Sequence, residues 1–231
     1  MTLNDIFQKL LDTYSYQGWW PITDYDGSNP TKTGSTQGYH PSDYSFPRNS
    51  LERFEIIVGA VLTQNTSWPQ VEKSIINLKE SINLTPSEIL NFDENDFKMA
   101  IKPSGYFNQK YNYLRNVSEF YISLDGQTPK RKDLLSVKGV GPETCDSILL
   151  YAYGEKEFVV DAYTRRIFSH LGFINEKDSY NKIKKLFEDN FDGGVNEYQE
   201  YHALIVEHAK NHYYKKPYGI NDIVLNNFKV K

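Results

Sequence analysis

Leu134-Leu135-Ser136-Val137-Lys138-Gly139-Val140-Gly141-Pro142-Glu143-Thr144-Cys145-Asp146-Ser147-Ile148-Leu149-Leu150 is the stretch from which the fold is read. A short basic helix runs into Gly139-Val140-Gly141. A second helix then opens with Pro142 at its first position, where the missing N–H costs nothing. Cys145, Ile148, Leu149 and Ala152 recur at i, i+3, i+4 and i+7 and give that helix an apolar stripe. Two glycines let the backbone turn tightly and come close to a partner, and the N–H groups that start the second helix point outward with the positive end of the dipole behind them. Such a corner suits a phosphate.

Twenty residues beyond Gly141 comes Val159-Val160-Asp161-Ala162-Tyr163-Thr164-Arg165-Arg166, where Asp161 is placed to cap a helix carrying Ile167, Phe168 and Leu171. Upstream, Asn49 precedes Glu52 by three in a capping-box arrangement, and Phe54, Ile57, Val58, Val61 and Leu62 share one helix face. That helix stops at Thr63-Gln64-Asn65-Thr66. Ser67 with Gln70 predicts a second capping box, and Val71, Ile75 and Leu78 continue as a stripe. Thr85-Pro86-Ser87-Glu88 starts another helix, and helical patterns follow near 94–101 and 106–123. Phe158-Val159-Val160 is the best β-like run and is too short for a sheet. The chain reads as all-α.

Residues 1–20 predict a short helix followed by Gln17-Gly18-Trp19-Trp20-Pro21. Residues 22–49 are rich in Gly, Ser, Thr, Asn, Tyr and Pro without apolar periodicity, so they predict a long loop that either covers a site or is partly disordered. Over 231 residues, 39% hydrophobic and 24% charged content is that of a globular protein. No apolar run approaches the ~18 residues that span a bilayer, and the N-terminus carries no secretion signal, so a cytosolic location is expected, at the nucleoid if the cell is prokaryotic. The lone Cys145 excludes an internal disulfide and any cluster held by several thiolates of this chain. A net charge of −4 argues weakly against nucleic acid, but basic residues cluster at Lys130, Arg131, Lys132 and Lys138, at Arg165 and Arg166, at Lys182, Lys184 and Lys185, and at Lys210, Lys215 and Lys216. Aromatic content of 15% serves either base stacking or the core, mostly the core.

Taken together, the Gly-Val-Gly hairpin, the intervening helix, the Val-Asp-x-x-x-Arg segment and the Leu62-Thr63-Gln64-Asn65-Thr66 turn resemble the helix-hairpin-helix DNA glycosylases related to endonuclease III. The resemblance implies two helical lobes with the active-site cleft between them. One is a central lobe over 50–155 that carries the hairpin; the other is built from 1–21 plus 156–231. It further implies that Gly139, Val140 and Gly141, with Lys138 and Arg165, hold duplex DNA, that Gln64 plugs the gap left by an extruded base, and that Asp161 is the catalytic carboxylate. A monomer acting on damaged double-stranded DNA is expected, with no membrane partner.

The chain departs from endonuclease III at two places. The position of that enzyme's attacking lysine is Glu143, so the Schiff-base route lacks its nucleophile and strong lyase activity is not expected. The four-cysteine iron–sulfur motif is absent. Within the family the closest resemblance is to the 3-methyladenine DNA glycosylase III subgroup, in which Trp19, Trp20, Pro21 and Trp68 match the aromatic base pocket and Glu143, Asp161 and Lys210 the polar site residues; the long 22–49 segment departs from it. The residue at Lys210 can be carbamylated in that subgroup. N3- or N7-methylated purines are cations, which indole faces attract, and they leave readily, so the carboxylate need only stabilise the sugar cation and handle water. The expectation is a monofunctional glycosylase for alkylated purines. Its alternatives are a glycosylase for oxidised or deaminated bases and a non-catalytic hairpin module. No cofactor or catalytic metal is expected to be required, with a monovalent cation at the hairpin optional. His208 and His212 stand i, i+4 as a metal pair would, but without an evident third ligand they read as ordinary surface or interface histidines.

Overall fold

The computed structural model describes residues 2–32, 35 and 37–230. Among these the chain is helical and contains no strand, only an isolated bridge between Ser28 and Gln37. The helices are α1 (Leu3–Tyr14), α2 (Ser50–Leu62), α3 (Trp68–Ser81), α4 (Pro86–Asn91), α5 (Glu94–Ala100), α6 (Phe107–Ser123), α7 (Arg131–Leu134), α8 (Pro142–Ser147), α9 (Ala162–His170), α10 (Tyr180–Asn190) and α11 (Val195–His212). In α8 the hydrogen-bonding widens to a π turn over Ile148–Ala152.

Burial explains the packing. α2 is apolar nearly all round, with every residue from Phe54 to Leu62 buried, so it runs through the interior and contacts α3, α6 and the π turn. α1 is amphipathic and lays Leu3, Ile6 and Leu10 against α10 and α11. The α8 segment, buried continuously from Thr144 to Ala152, touches both α2 and α11 and so joins the two groups of helices.

Two capping expectations change in detail. Asn49 caps α2 by accepting from the N–H groups of Leu51 and Glu52, but the Glu52 carboxylate turns to the N–H and guanidinium of Arg48 instead of closing the box. Ser67 makes no side-chain cap, because Pro69 leaves one of the usual target positions without an N–H and the Gln70 N–H bonds the Ser67 carbonyl. At the other end of α2, buried Lys110 donates to the carbonyls of Leu62 (2.8 Å) and Ser104 (2.7 Å) and fixes the start of the turn that carries Gln64.

Among the described residues of the segment 22–49 there is no helix, yet they are packed, with Ile22, Tyr39, His40 and Phe46 buried; Thr33, Gly34 and Thr36 lie outside the described residues. His40 fastens it: its two ring nitrogens lie 2.8 Å from the carbonyls of Trp20 and Asp43. The segment thus closes over the strip that follows α1.

The basic clusters divide between structure and surface. Arg131 forks onto the fully buried Asp146 at 2.6 and 3.0 Å, and Lys184 joins the same network with Glu157 and Glu188. These two cations stitch α7, α8 and α10 together, whereas Lys130, Lys132, Lys138, Lys215 and Lys216 stand exposed.

Candidate active site

The hairpin links α7 to α8. Gly139 has φ +103°, and a Cβ there would lie 2.2 Å from the Tyr113 ring, so both backbone conformation and space demand glycine. At Gly141 an added Cβ would meet nothing, which leaves that backbone open to an approaching partner. Asn116 donates to the Lys138 carbonyl (2.9 Å), and Gln64 donates to the Gly139 carbonyl (2.8 Å) and to Thr144 Oγ1 (3.0 Å). Gln64 therefore braces the hairpin in this structure, and filling a vacated base position would require it to let go. Lys138 is exposed beside the hairpin; Val140 is buried and anchors it.

Asp161 caps α9. Its Oδ1 accepts from the Thr164 N–H (2.7 Å) and hydroxyl (2.8 Å), which leaves Oδ2 facing Nε2 of His202 at 3.7 Å. His202 comes from α11, and its Nδ1 lies 2.8 Å from the Tyr151 hydroxyl, which donates to the Gln199 carbonyl (3.0 Å). The imidazole thus stands between the Tyr151 hydroxyl and the second oxygen of Asp161. Burial holds His202 below the ordinary histidine value, with Asp161 opposing.

Glu143, in the first turn of α8, keeps solvent exposure although protein atoms crowd around it. Desolvation pushes its carboxyl up to about 7, with Asp161 adding to the rise and Arg165 countering it. Arg165 itself donates to the Asp178 carbonyl at 2.7 Å.

The three tryptophans form one cluster. Trp19 and Trp68 pack edge-on with centroids 4.8 Å apart, Trp20 stands perpendicular to Trp68 at 5.4 Å, and Tyr39 from the 22–49 segment adds an edge 6.0 Å from Trp19. A base held between two rings needs them ~7 Å apart, two van der Waals contacts, so none fits between these as they stand. Trp20, Pro21 and Trp68 are buried, and Trp19 is the one of the four left partly open. Gly59 admits Trp20 to the surface of α2: a Cβ there would lie 2.8 Å from the indole nitrogen. The buried Nε1 atoms of Trp19, Trp20 and Trp68 have no hydrogen-bond partner among the described residues. Trp20 also meets Tyr151 at 5.4 Å, so the cluster connects through Tyr151 and His202 to Asp161. Lys210 lies 3.5 Å from Glu207, whose charge reaches the Tyr39 hydroxyl at the edge of the cluster.

Sequence reading missed His202 and Tyr151. Both lie inside helical stretches whose apolar neighbours disguise them, and only the π turn, a local widening often found at functional sites, distinguishes Tyr151. The reading of His208 as a surface or interface histidine is corrected: it is fully buried, bonded to Asp222 and Tyr14, because residues 213–230 fold back over the end of α11, whereas His212 is partly exposed.

A glycine hairpin that offers backbone N–H groups, followed by a helix-capping aspartate, marks the helix-hairpin-helix class of DNA repair proteins. Residues 58–192 match the model of the HhH-GPD superfamily base excision DNA repair protein, and the chain belongs to that family. The "Putative DNA repair glycosylase MJ1434" of Methanocaldococcus jannaschii is 43% identical over 222 residues, covering 91% of this chain and 88% of that protein. Endonuclease III of Sulfolobus acidocaldarius is 29% identical over 163 residues, 68% of this chain and 72% of the relative. Among solved structures, H. pylori 3-methyladenine DNA glycosylase (MagIII) bound to 1,N6-ethenoadenine aligns with a TM-score of 0.61 at 30% identity, covering 73% of this chain and 88% of that one. A non-covalent endonuclease III–DNA complex, 21% identical with a TM-score of 0.65, shares the fold.

Proposed function

We propose that this base excision repair glycosylase is monofunctional, acts on duplex DNA, and removes alkylated, cationic purines. The observation that carries the reading is the arrangement around Asp161: a carboxylate with one oxygen left over from the helix cap, a second carboxyl at Glu143 where a covalent enzyme needs an amine, and a neighbouring cluster of indoles. Duplex DNA rests on the hairpin N–H groups and Lys138, and the damaged nucleotide turns out toward Trp19. Its purine lies on the open indole face, and ring nitrogens or oxygens of the base supply acceptors for the indole N–H donors that lack partners. Pocket opening is part of this reading, since the rings are edge-packed; Lys210 and Glu143 border the opened site.

In the reaction, the C1′–N bond breaks and its electron pair leaves with the base, which departs neutral if it was cationic. Asp161 stabilises the positive sugar. A water oxygen bonds C1′, and one of its protons passes to Asp161 Oδ2, which faces His202 Nε2. The product is an abasic site on an intact strand. A monovalent cation at the hairpin would have to share the carbonyls of Val137, Lys138 and Gly139 with bonds they already accept, and no step depends on it.

The test is chromatographic identification of bases released from methylated duplex DNA, set beside duplexes containing uracil, 8-oxoguanine or thymine glycol. Release of 3-methyladenine or 7-methylguanine, lost in Asp161→Asn, is expected. Release confined to the neutral lesions would overturn the alkyl-purine reading, and binding without any release would leave a hairpin module.

A further inference from the structure

His208 and His212 lie one turn apart on α11, and the fold supplies the third ligand that their spacing lacks. Residues 213–230 turn back so that Asp222 reaches the two rings, and the donor atoms of His208, His212 and Asp222 lie within 4.8 Å of one another. We propose that these three side chains form a zinc-class metal site that staples the C-terminal segment to α11.

The surroundings are those of a supported site. Asp222 is fully buried; its Oδ1 accepts from the N–H groups of Val224 (3.0 Å) and Leu225 (2.9 Å), and its Oδ2 from the Tyr213 hydroxyl (2.8 Å). These three bonds aim the carboxylate at the two rings. His208 is equally buried. Its Nε2 lies 3.0 Å from Asp222 Oδ2, and its Nδ1 lies 2.9 Å from the Tyr14 hydroxyl on α1. When Nδ1–H donates to Tyr14, Nε2 offers a lone pair to an ion, the outer-sphere bond typical of a ligating histidine.

Adjacent ligands of a tetrahedral ion at ~2.0–2.1 Å stand about 3.3 Å apart, so His208 and Asp222 are near that separation already. His212, its ring centroid 4.7 Å from that of His208, has only to swing inward. It is partly exposed, which gives the ion a way in and leaves the fourth position to water. Two imidazoles and one carboxylate suit Zn2+ or Co2+; Mg2+ and Ca2+ prefer oxygen.

The experiment uses the full chain, stripped with a chelator and then titrated with Zn2+ by calorimetry and Co2+ by visible absorption. One equivalent is expected to bind, with the d–d absorption of four-coordinate Co2+ and a rise in Tm of about 5–10 °C at a hundredfold excess of Zn2+ over Kd. His212→Ala, which leaves the Asp222–His208–Tyr14 bonds in place, is expected to weaken binding at least tenfold while the metal-free Tm stays near wild type. Absence of stoichiometric uptake by the wild type would overturn the proposal, leaving a hydrogen-bonded clasp, and so would undiminished uptake by His212→Ala.

Discussion

Replacing Asp161 with Asn separates what the residue does for the fold from what it does for chemistry. Asn retains an oxygen in the Oδ1 position, so the bonds from the Thr164 N–H and hydroxyl survive, and Asn equals Asp as an N-cap. What disappears is a negative charge at the start of α9, worth ~0.3–1 kcal/mol, or a Tm decrease of about 1–4 °C in a chain of this size. Relief of the repulsion with Glu143 offsets part of that. Asp161→Ala also removes the cap, about 0.5–2 kcal/mol. Chemistry should suffer far more. Losing a preorganised charge at the position where the sugar becomes cationic costs roughly 3–4 kcal/mol, about a hundred- to a thousandfold in rate. Single-turnover base release and thermal melting on wild type, Asp161→Asn and Asp161→Ala check both numbers. Release by Asp161→Asn within tenfold of wild type would refute the reasoning, since Asp161 would then be a cap and nothing more.

Three further outcomes are expected. Because the Glu143 carboxyl is raised to about 7, it ionises as pH climbs through neutrality and attracts a cationic lesion more strongly; the single-turnover rate ratio of 7-methylguanine to uracil should increase from pH 6 to pH 8 in wild type and stay flat in Glu143→Gln. Glu200, buried on α11, is also raised to about 7 by desolvation although it accepts from the Gln17 N–H (2.5 Å) and the Tyr44 hydroxyl (3.2 Å). The folded state therefore holds that proton more tightly than the unfolded one, and stability should fall by roughly 1–3 kcal/mol as pH rises from the ordinary carboxyl value of 4.5 toward 7. Denaturant melts of Glu200→Gln should show a shallower slope, with the share due to Glu143 remaining; an unchanged slope would exclude Glu200 as a source. Gly139→Ala forces a Cβ onto Tyr113 at φ +103°, so a loss of roughly 1–3 kcal/mol in stability is expected, together with weaker duplex binding at fixed salt, measured by melting and fluorescence anisotropy.

The helices were legible because their signals are local: proline at the first position of α4 and α8, a capping aspartate before α9, and the apolar face of α2 all act within a turn or two. The hairpin was legible for the same reason, and the need for glycine at 139 is confirmed by the Tyr113 ring. Contacts between distant segments were not. Nothing near His208 in the chain announces Asp222 or Tyr14, and nothing near Asp161 announces His202, 41 residues away. Arg131 and Lys184 looked like candidates for phosphate but face Asp146, whose burial only the packing of α7, α8 and α10 reveals. The tryptophans were found by resemblance, yet their edge-on packing, which puts the pocket in need of opening, depends on how α2, α3 and the 22–49 segment meet.

The most direct measurement of the central claim is a competition in one tube between duplexes carrying a single 7-methylguanine and a single uracil, under single-turnover conditions, resolved with and without alkali. A monofunctional enzyme for cationic purines releases 7-methylguanine first and yields cut strands only after alkali treatment. Preferential loss of uracil would contradict the substrate assignment, and strand cleavage before alkali, with a borohydride-trapped protein–DNA adduct, would contradict the monofunctional one.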